Sequence, residues 1–505
     1  MNREILYTVI ESSIKRAINF VDKNPYSATY GFADRAFWSW RTKDFNNGSL
    51  QSLIYSFASI KTKFEYKEIY KNLNKNKIID TTYEALKFGC FKELEDSGSS
   101  QESFPEEKSF CVTGTLLADL ISALEITNEH NNLNLKEKDV LKKTAIFISK
   151  NIENHANIGN HLMSCLYALT LYDQKIENGN KIVLKGIENI VNKLNCIWVH
   201  EGWFQEYDGA DIGYSTLSLQ YLLEIDEKYL PSKNDWIVNM LNFISHFFHL
   251  DGSIGNHYGS RGSSVIYPSS LLNLDFLEIN NFIYESIQNK KIPLPNDLDD
   301  ANFVPLFNSF IKSLNHKKVV DLKNFELPIF NDNLTKVFLD SGFVFNLNNK
   351  VQNIIDLNKG GIVHSFTSDK KNYEAIPTIR KLRKNSIFCA INTEYEVHVS
   401  EPIEINVVSK FYKINTKSLD SVSVFLSRAA IPIIRIFPKI LQVIKRTVVS
   451  KFFIPNKSVG SFKKTIFIDN YKLTTSEKYT YPNGFEKVEG FYYHPIRMAS
   501  QNYLN

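Results

Sequence analysis

Cysteine is scarce in this chain. Five occur in 505 residues, at positions 90, 111, 165, 196 and 389, odd in number and never in CxxC spacing. That excludes a disulfide framework and a zinc knuckle, and reads as free thiols in a reducing compartment. No run reaches the ~18 apolar residues a membrane-spanning helix needs. The opening MNREILYTVIESSIKRAINF is interrupted by Glu11, Lys15 and Arg16, so it does not read as a signal peptide. A soluble, cytoplasmic chain is the expectation. There is no P-loop, no dinucleotide fingerprint after a strand and no GxSxG elbow. An excess of one charge is also missing: 59 basic against 55 acidic residues leave +4, which gives no nucleic-acid footprint.

What the chain has is length, aromatics and two successive periodicities. At 505 residues two domains are expected. The 36 Phe, 25 Tyr and 5 Trp suit an aromatic core and also stacked sugar platforms. Residues 1–322 carry apolar positions at three- and four-residue spacing, which predicts helices over 5–20, 50–60, 113–126, 140–152, 161–171, 182–194, 217–223 and 236–248. Around residue 335 the period changes to two. VFLDSGFVFNL, NIIDLN, GGIVHSF, EYEVHV, IEINVVSKFY and KKTIFIDNYKLTT predict an antiparallel β-sandwich over 335–505. The join is KNFELPIFNDNL, where Pro328 marks a linker. Within the β region, 427–454 is apolar and purely basic, with Arg428, Arg435, Lys439, Lys445, Arg446 and Lys451. It reads either as an insertion packed on the sandwich or as an amphipathic contact with an anionic membrane, peripheral to the inner membrane.

Four segments concentrate polar chemistry. In HANIGNHLMSCLYALTLY, Asn160 and His161 emerge together on one side of a helix whose buried side is Leu162, Cys165, Leu166 and Leu169. A neutral amide can spread the charge of a forming enolate while an imidazole takes the proton. In DGSIGNHYGSRG (251–262) the glycines predict a tight, exposed loop that presents Asn256, His257, Tyr258 and Arg261. Tyr258 can protonate a leaving oxygen, and Arg261 can lower the phenol's pKa and grip a carboxylate. In GWFQEYDGADIGYSTLSLQYL, Asp208 or Asp211 can cap the following helix. Trp203 and Tyr207 can stack on a sugar, Tyr214 follows at helical spacing, and Glu206, Asp208 and Asp211 offer paired carboxylates for hydrolysis. In YGFADRAFWSWRTKDF, Arg35, Trp38 and Arg41 or Thr42 share a helical face that suits a sugar acid.

A many-helix domain followed by a β-sandwich, with an adjacent Asn-His pair and then a Tyr/Arg loop, resembles the heparinase II/III-like proteins. These sit within the wider (α/α)-toroid polysaccharide lyases, which include alginate and chondroitin lyases, and such sequences are familiar in bacterial surface-polysaccharide clusters. The resemblance implies an α+β multidomain chain, an incomplete (α/α) toroid stacked on an antiparallel sandwich. It implies β-elimination on an acidic polysaccharide, and since side chains can do every step no cofactor is required and no metal ligands are assigned. In that pattern Asn160 neutralises the uronate, His161 is the base and Tyr258 the acid, with Tyr207 or Tyr214 as alternatives for the last role. Hydrolysis through Glu206, Asp208 and Asp211, and non-catalytic glycan binding during surface-polysaccharide assembly, are the other two readings.

Overall fold

The computed structural model describes residues 2–35, 43, 45–74, 77–103, 105–153, 156–255, 258–274, 276–314, 325–382, 386–414, 422, 425, 429 and 458–489. The basic segment 427–454 lies outside the described residues except for position 429. Helices occupy the N-terminal part: α1 (Asn2–Phe20), α2 (Gly48–Gln51), α3 (Leu53–Thr62), α4 (Lys67–Leu73), α5 (Ile78–Leu94), α6 (Phe110–Ile126), α7 (Leu135–Lys150), α8 (Gly159–Lys175), α9 (Lys181–Ile197), α10 (Ile212–Glu224), α11 (Lys233–Ser245), α12 (Ser269–Leu272), α13 (Leu277–Gln288) and α14 (Asp300–Lys312). None among the described residues is long and apolar enough to cross a membrane.

The helices form two layers. One chain of contacts runs α3–α6–α8–α10–α12–α14 and returns from α14 to α3. Its thinnest member is the four-residue α12. Helices α5, α7, α9 and α11 lie against this ring from outside, and α1 and α13 pack on its closing side. Sequence explains the layering. Helix α6 is apolar all round, with buried residues on every face, as an inner helix must be. Helix α9 is strongly amphipathic and buries only one stripe, Val183, Ile187, Ile190 and Leu194.

A two-stranded ribbon, β1 (Trp198–Val199) with β2 (Trp203–Phe204), follows α9. The C-terminal strands form two antiparallel sheets. The five-stranded sheet runs in order β3 (Asn333–Phe338), β4 (Phe343–Asn348), β5 (Val351–Asp356), β6 (Ile362–Phe366) and β7 (Lys371–Tyr373). The remaining strands are β8 (Thr378–Lys381), β9 (Ser386–His398), β10 (Ile403–Lys413), β11 (Ser458–Asp469), β12 (Lys472–Thr480) and β13 (Phe485–Val488). They make a six-stranded sheet in the order β12-β11-β10-β9-β8-β13.

Strand β4 is buried along nearly its whole length. Alternate side chains explain this. Phe343, Phe345 and Leu347 join the helical core, whereas Val344 joins Ile405, Val407 and Ile466 of the other sheet. The five-stranded sheet is therefore the middle layer of three, and its central strand reads as an unbroken apolar run. In β10 and β11 only one face is covered, and burial alternates.

Polar contacts fix the middle sheet to the helices. Glu201 accepts from the backbone N–H groups of Asp340 (2.8 Å) and Ser341 (2.9 Å). Gln352 donates to Phe248 O (2.8 Å) and accepts from Leu250 N (3.1 Å). His246 stands edge-on to Phe338 and Phe345, and burial pushes its imidazole down to about 4.

Candidate active site

Three neighbouring inner helices bring their first turns to one end of the ring. Tyr167, midway along α8, lies beside Ser122 of α6 (3.4 Å between hydroxyls) and Tyr221 of α10 (rings 6.0 Å apart). Cys165 of α8 also meets Phe110 O and Gly114 of α6, and Glu206 at the start of α8 reaches through Arg261 to Tyr214 at the start of α10, so the three helices run in the same direction. Their first turns carry Cys111, then Asn160 and His161, then Tyr214. Converging N-termini favour negative charge at that end.

Glu206 organises the mouth. Helix α8 has no side-chain cap of its own at Ile158. Instead Glu206 accepts the Asn160 N–H through one oxygen (2.8 Å), and Asn160 Nδ2 through the other (2.8 Å). The second oxygen also takes Arg261 NH1 at 3.3 Å. The side chains of Glu206 and Arg261 are only 1% and 4% exposed. Burial holds the Glu206 carboxyl above its usual range against the pull of Arg261 and Asn160. The chain either side of Glu206 is tied to the start of α8: Gly159 N donates to Gln205 O (2.9 Å) and Tyr207 N to Asn157 O (2.7 Å). Tyr207 adopts a left-handed φ of 64° to make this turn.

The Arg261 guanidinium lies 3.7 Å from the centre of the Tyr214 ring and 5.2 Å from that of Tyr207. Both tyrosines are half-buried. His161 is half-buried beside Asn160, with Nδ1 at 2.8 Å from Glu153 Oε2. Burial lowers the imidazole pKa, but Cys111 and Glu153 outweigh it and raise the group well above its ordinary value.

Tyr258 stands elsewhere. It is 1% exposed, and its hydroxyl is 2.6 Å from His249 Nε2. His249 Nδ1 meets Ser253 Oγ at 2.9 Å, and Ser253 donates to Asp251 at 2.5 Å. Phe247, Phe343 and His364 surround the phenol ring. Burial pushes its pKa up, so the expected lowering by Arg261 is overturned. The expected exposed loop is also overturned, because the described residues around Tyr258 and Arg261 are mostly buried. Carboxylates from other segments accept its backbone: Asp356 takes Gly259 N (3.1 Å) and Asp211 takes Ser263 N (3.1 Å). A buried loop is tolerable only when its N–H groups are met in this way. At Gly259, φ is +84° and a Cβ would come within 2.8 Å of Ala210 O, so glycine is required there.

The other expected positions divide. Asp211 caps α10, accepting Tyr214 N at 3.0 Å. Trp203, Tyr207 and Asp208 line a cavity of about 430 Å³ with Trp198, Val199, His200, Gln205 and Asp340. That volume suits a small-molecule or sugar-sized ligand. Tyr207 is the link between this cavity and Arg261. Arg35 is exposed, and its backbone N–H donates to Asp34. Trp38, Arg41, Asn256 and His257 lie outside the described residues. Glu153 and Cys111 escaped the sequence reading. Only the Ser109 cap before α6 could have signalled that Cys111 occupies a first turn. Among the described residues, no three His, Cys, Asp or Glu side chains are grouped to hold a metal ion.

Glu206 and Asp211 are poorly suited to hydrolysis. Glu206 has both oxygens occupied by Asn160 and Arg261, and Asp211 has both occupied by backbone N–H groups.

No family sequence model matches the chain, and no curated protein matches it. Among solved structures, a heparinase III is similar over 93% of this chain and 70% of its own, at 11% identity and a TM-score of 0.41. A heparan sulfate lyase from Pedobacter heparinus is similar over 95% of this chain and 68% of its own, at 8% identity and 0.39. A Paenibacillus xanthan lyase is similar over 81% of this chain and 45% of its own, at 9% identity and 0.39.

Proposed function

We propose that this chain is a polysaccharide lyase that cleaves a uronate-containing bacterial glycan by β-elimination, on an (α/α) toroid backed by a β-sandwich. The observation that carries the reading is the shared carboxylate. Glu206 holds the Asn160 amide and the Arg261 guanidinium together, with His161 next in the chain and two reachable phenols on the guanidinium. The returning ring of helices supports the toroid part of the reading.

The chemistry follows from these groups. A uronate C5–H is a weak acid because its loss builds charge on the carboxylate. Asn160 and Arg261 stabilise that charge, aided by three helix N-termini. Neutral His161 takes the proton, its Nδ1–H directed to Glu153. The C5–H electron pair becomes the C4=C5 double bond, and the C4–O bond breaks. A phenol protonates the leaving oxygen. Tyr258 is too deeply enclosed for that role, so it passes to Tyr214 or Tyr207; Tyr214, whose ring lies closest to Arg261, is the better acid. Side chains perform every step. The aromatic cavity beside Tyr207 would seat the neighbouring sugar.

Incubation with a panel of uronate polysaccharides should generate the far-ultraviolet absorbance of a conjugated enoate. His161→Ala should abolish it while circular dichroism stays unchanged. Glycan cleavage without an unsaturated product would refute elimination.

A further inference from the structure

The ring of inner helices has a second end. Helices α6 and α10 start at the Glu206 mouth and finish at Ile126 and Glu224. A cavity of about 480 Å³ opens there, and the ends of α3 and α14 line it as well, through Lys63 and Lys312. Its size falls within the range of about 300–1,000 Å³ found for ligand sites. The inner wall is a fixed ion pair. Lys312 Nζ donates to Asp119 Oδ1 at 3.1 Å, and Asn308 Nδ2 donates to the other Asp119 oxygen at 3.1 Å. The Lys312 and Asp119 side chains are 8% and 3% exposed. The ammonium also lies 4.6 Å from the centre of the Tyr55 ring. An ammonium carries three donors. Among the described residues Lys312 makes one hydrogen bond, so this buried group keeps donors for a ligand in the cavity it lines.

Charge decides what that ligand is. Among the described residues, Arg3, Lys63 and Lys312 in the lining stand with Glu65, Glu125 and Glu224. The charges behind them balance too, because Asp119 pairs with Lys312 and Lys175 with Glu125. The backbone adds the carbonyl ends of four helices, a field that disfavours anions. An acidic sugar is therefore favoured at the Glu206 mouth, where helices begin, and disfavoured here, where they end. The cavity offers donors and acceptors side by side. The Ser122 and Tyr167 hydroxyls, 3.4 Å apart, can act as either. The rings of Tyr55 and Tyr167 add apolar surface to the same lining. Sugar hydroxyls likewise donate and accept, around a ring whose C–H face is apolar.

We propose that this cavity is a second carbohydrate site, which binds an uncharged saccharide unit and performs no chemistry on it. Lys312 donates to a sugar hydroxyl at the inner wall, the carboxylates at the helix ends accept from others, and Ser122 and Tyr167 serve either role. The site shares no residue with Asn160, His161, Glu206 and Arg261 and lies at the opposite end of the same helices. Its occupancy therefore does not depend on the elimination reading. One ring of helices thus sorts glycan units by charge, through the direction in which its inner helices run.

Saturation-transfer difference NMR on the full chain tests this. The uncharged probes are glucose, galactose, mannose, N-acetylglucosamine, maltose and cellobiose; glucuronate is the acidic one. At least one uncharged probe should receive saturation from the protein. Ser122→Phe, which fills the cavity, should abolish that signal with circular dichroism unchanged. Glu65 is exposed at the rim, so Glu65→Trp can be read even where Ser122→Phe fails to fold, and it should reduce the signal. His161→Ala, at the other end, should leave it as it was. Silence from every uncharged probe, or a signal that survives both cavity variants, overturns the site. A glucuronate signal that is lost in Ser122→Phe and kept in His161→Ala overturns the charge argument. No elimination product is read, so failure here and failure of the lyase reading are separate results.

Discussion

The buried pair of Glu206 and Arg261 gives the sharpest quantitative expectation. Glu206→Ala strands a guanidinium that is 4% exposed, and also removes the acceptor for two Asn160 donors. Arg261→Met strands a carboxylate that is 1% exposed. Removing one partner of such a pair costs about 3–5 kcal/mol. In the double variant no charge is stranded, and the residual cost is the unmet Asn160 N–H groups, about 1–3 kcal/mol, together with the cavity. The two singles sum to about 6–10 kcal/mol, so the double variant should fall short of that sum by about 3 kcal/mol or more before the cavity is counted. Urea unfolding followed by tryptophan fluorescence suits the measurement, because Trp198, Trp203 and Trp236 cluster in the helical part near this site. With a slope near 3 kcal/mol/M, each single should move the midpoint down by about 1–1.7 M. A coupling below about 0.5 kcal/mol would refute the reasoning. Arg261 and Asn160 would then not be held by a common carboxylate, and the proposed uronate clamp would lose its support.

Two further expectations concern chemistry. On the proposed elimination His161 must be neutral to accept the C5 proton, and Cys111 and Glu153 raise its pKa against the effect of burial, so the rate should climb with pH through a limb above the ordinary histidine value of 6.5. Glu153→Gln should move that limb to lower pH, and a wild-type limb below pH 6.5 would contradict the environment described. Tyr258→Phe removes the 2.6 Å contact with His249 and should lower stability by about 1–2 kcal/mol while leaving elimination within a few-fold. Tyr214→Phe should cut kcat by about 100-fold or more. The reverse outcome would return the acid role to Tyr258.

Local pattern and tertiary pairing explain which parts of this molecule the sequence made legible. The three- and four-residue spacing of Phe110–Ile126 or Lys181–Ile197 is imposed by one helix burying itself, so it can be read without knowing the neighbours. The same holds for the alternation in Ile403–Lys413. Helix Ile78–Leu94 escaped because its buried positions include Thr82, Gly89 and Cys90 rather than a clean apolar stripe. The Asn-His dipeptide was visible because both residues share one helical turn, yet its meaning depends on Glu206, forty-six residues away. DGSIGNHYGSRG was misread for a related reason. Glycines mark a chain that turns sharply, but not whether it turns in water or inside the protein. Asp211 and Asp356, from an earlier loop and a later strand, decide that by accepting its N–H groups. The exposed-loop expectation made Tyr258 look like an acid, whereas the phenols that face Arg261 lie on the segment that also supplies Glu206. A capping carboxylate and its guanidinium partner thus come from segments 55 residues apart that only the tertiary fold brings together, and spacing along the sequence carries no trace of that pairing.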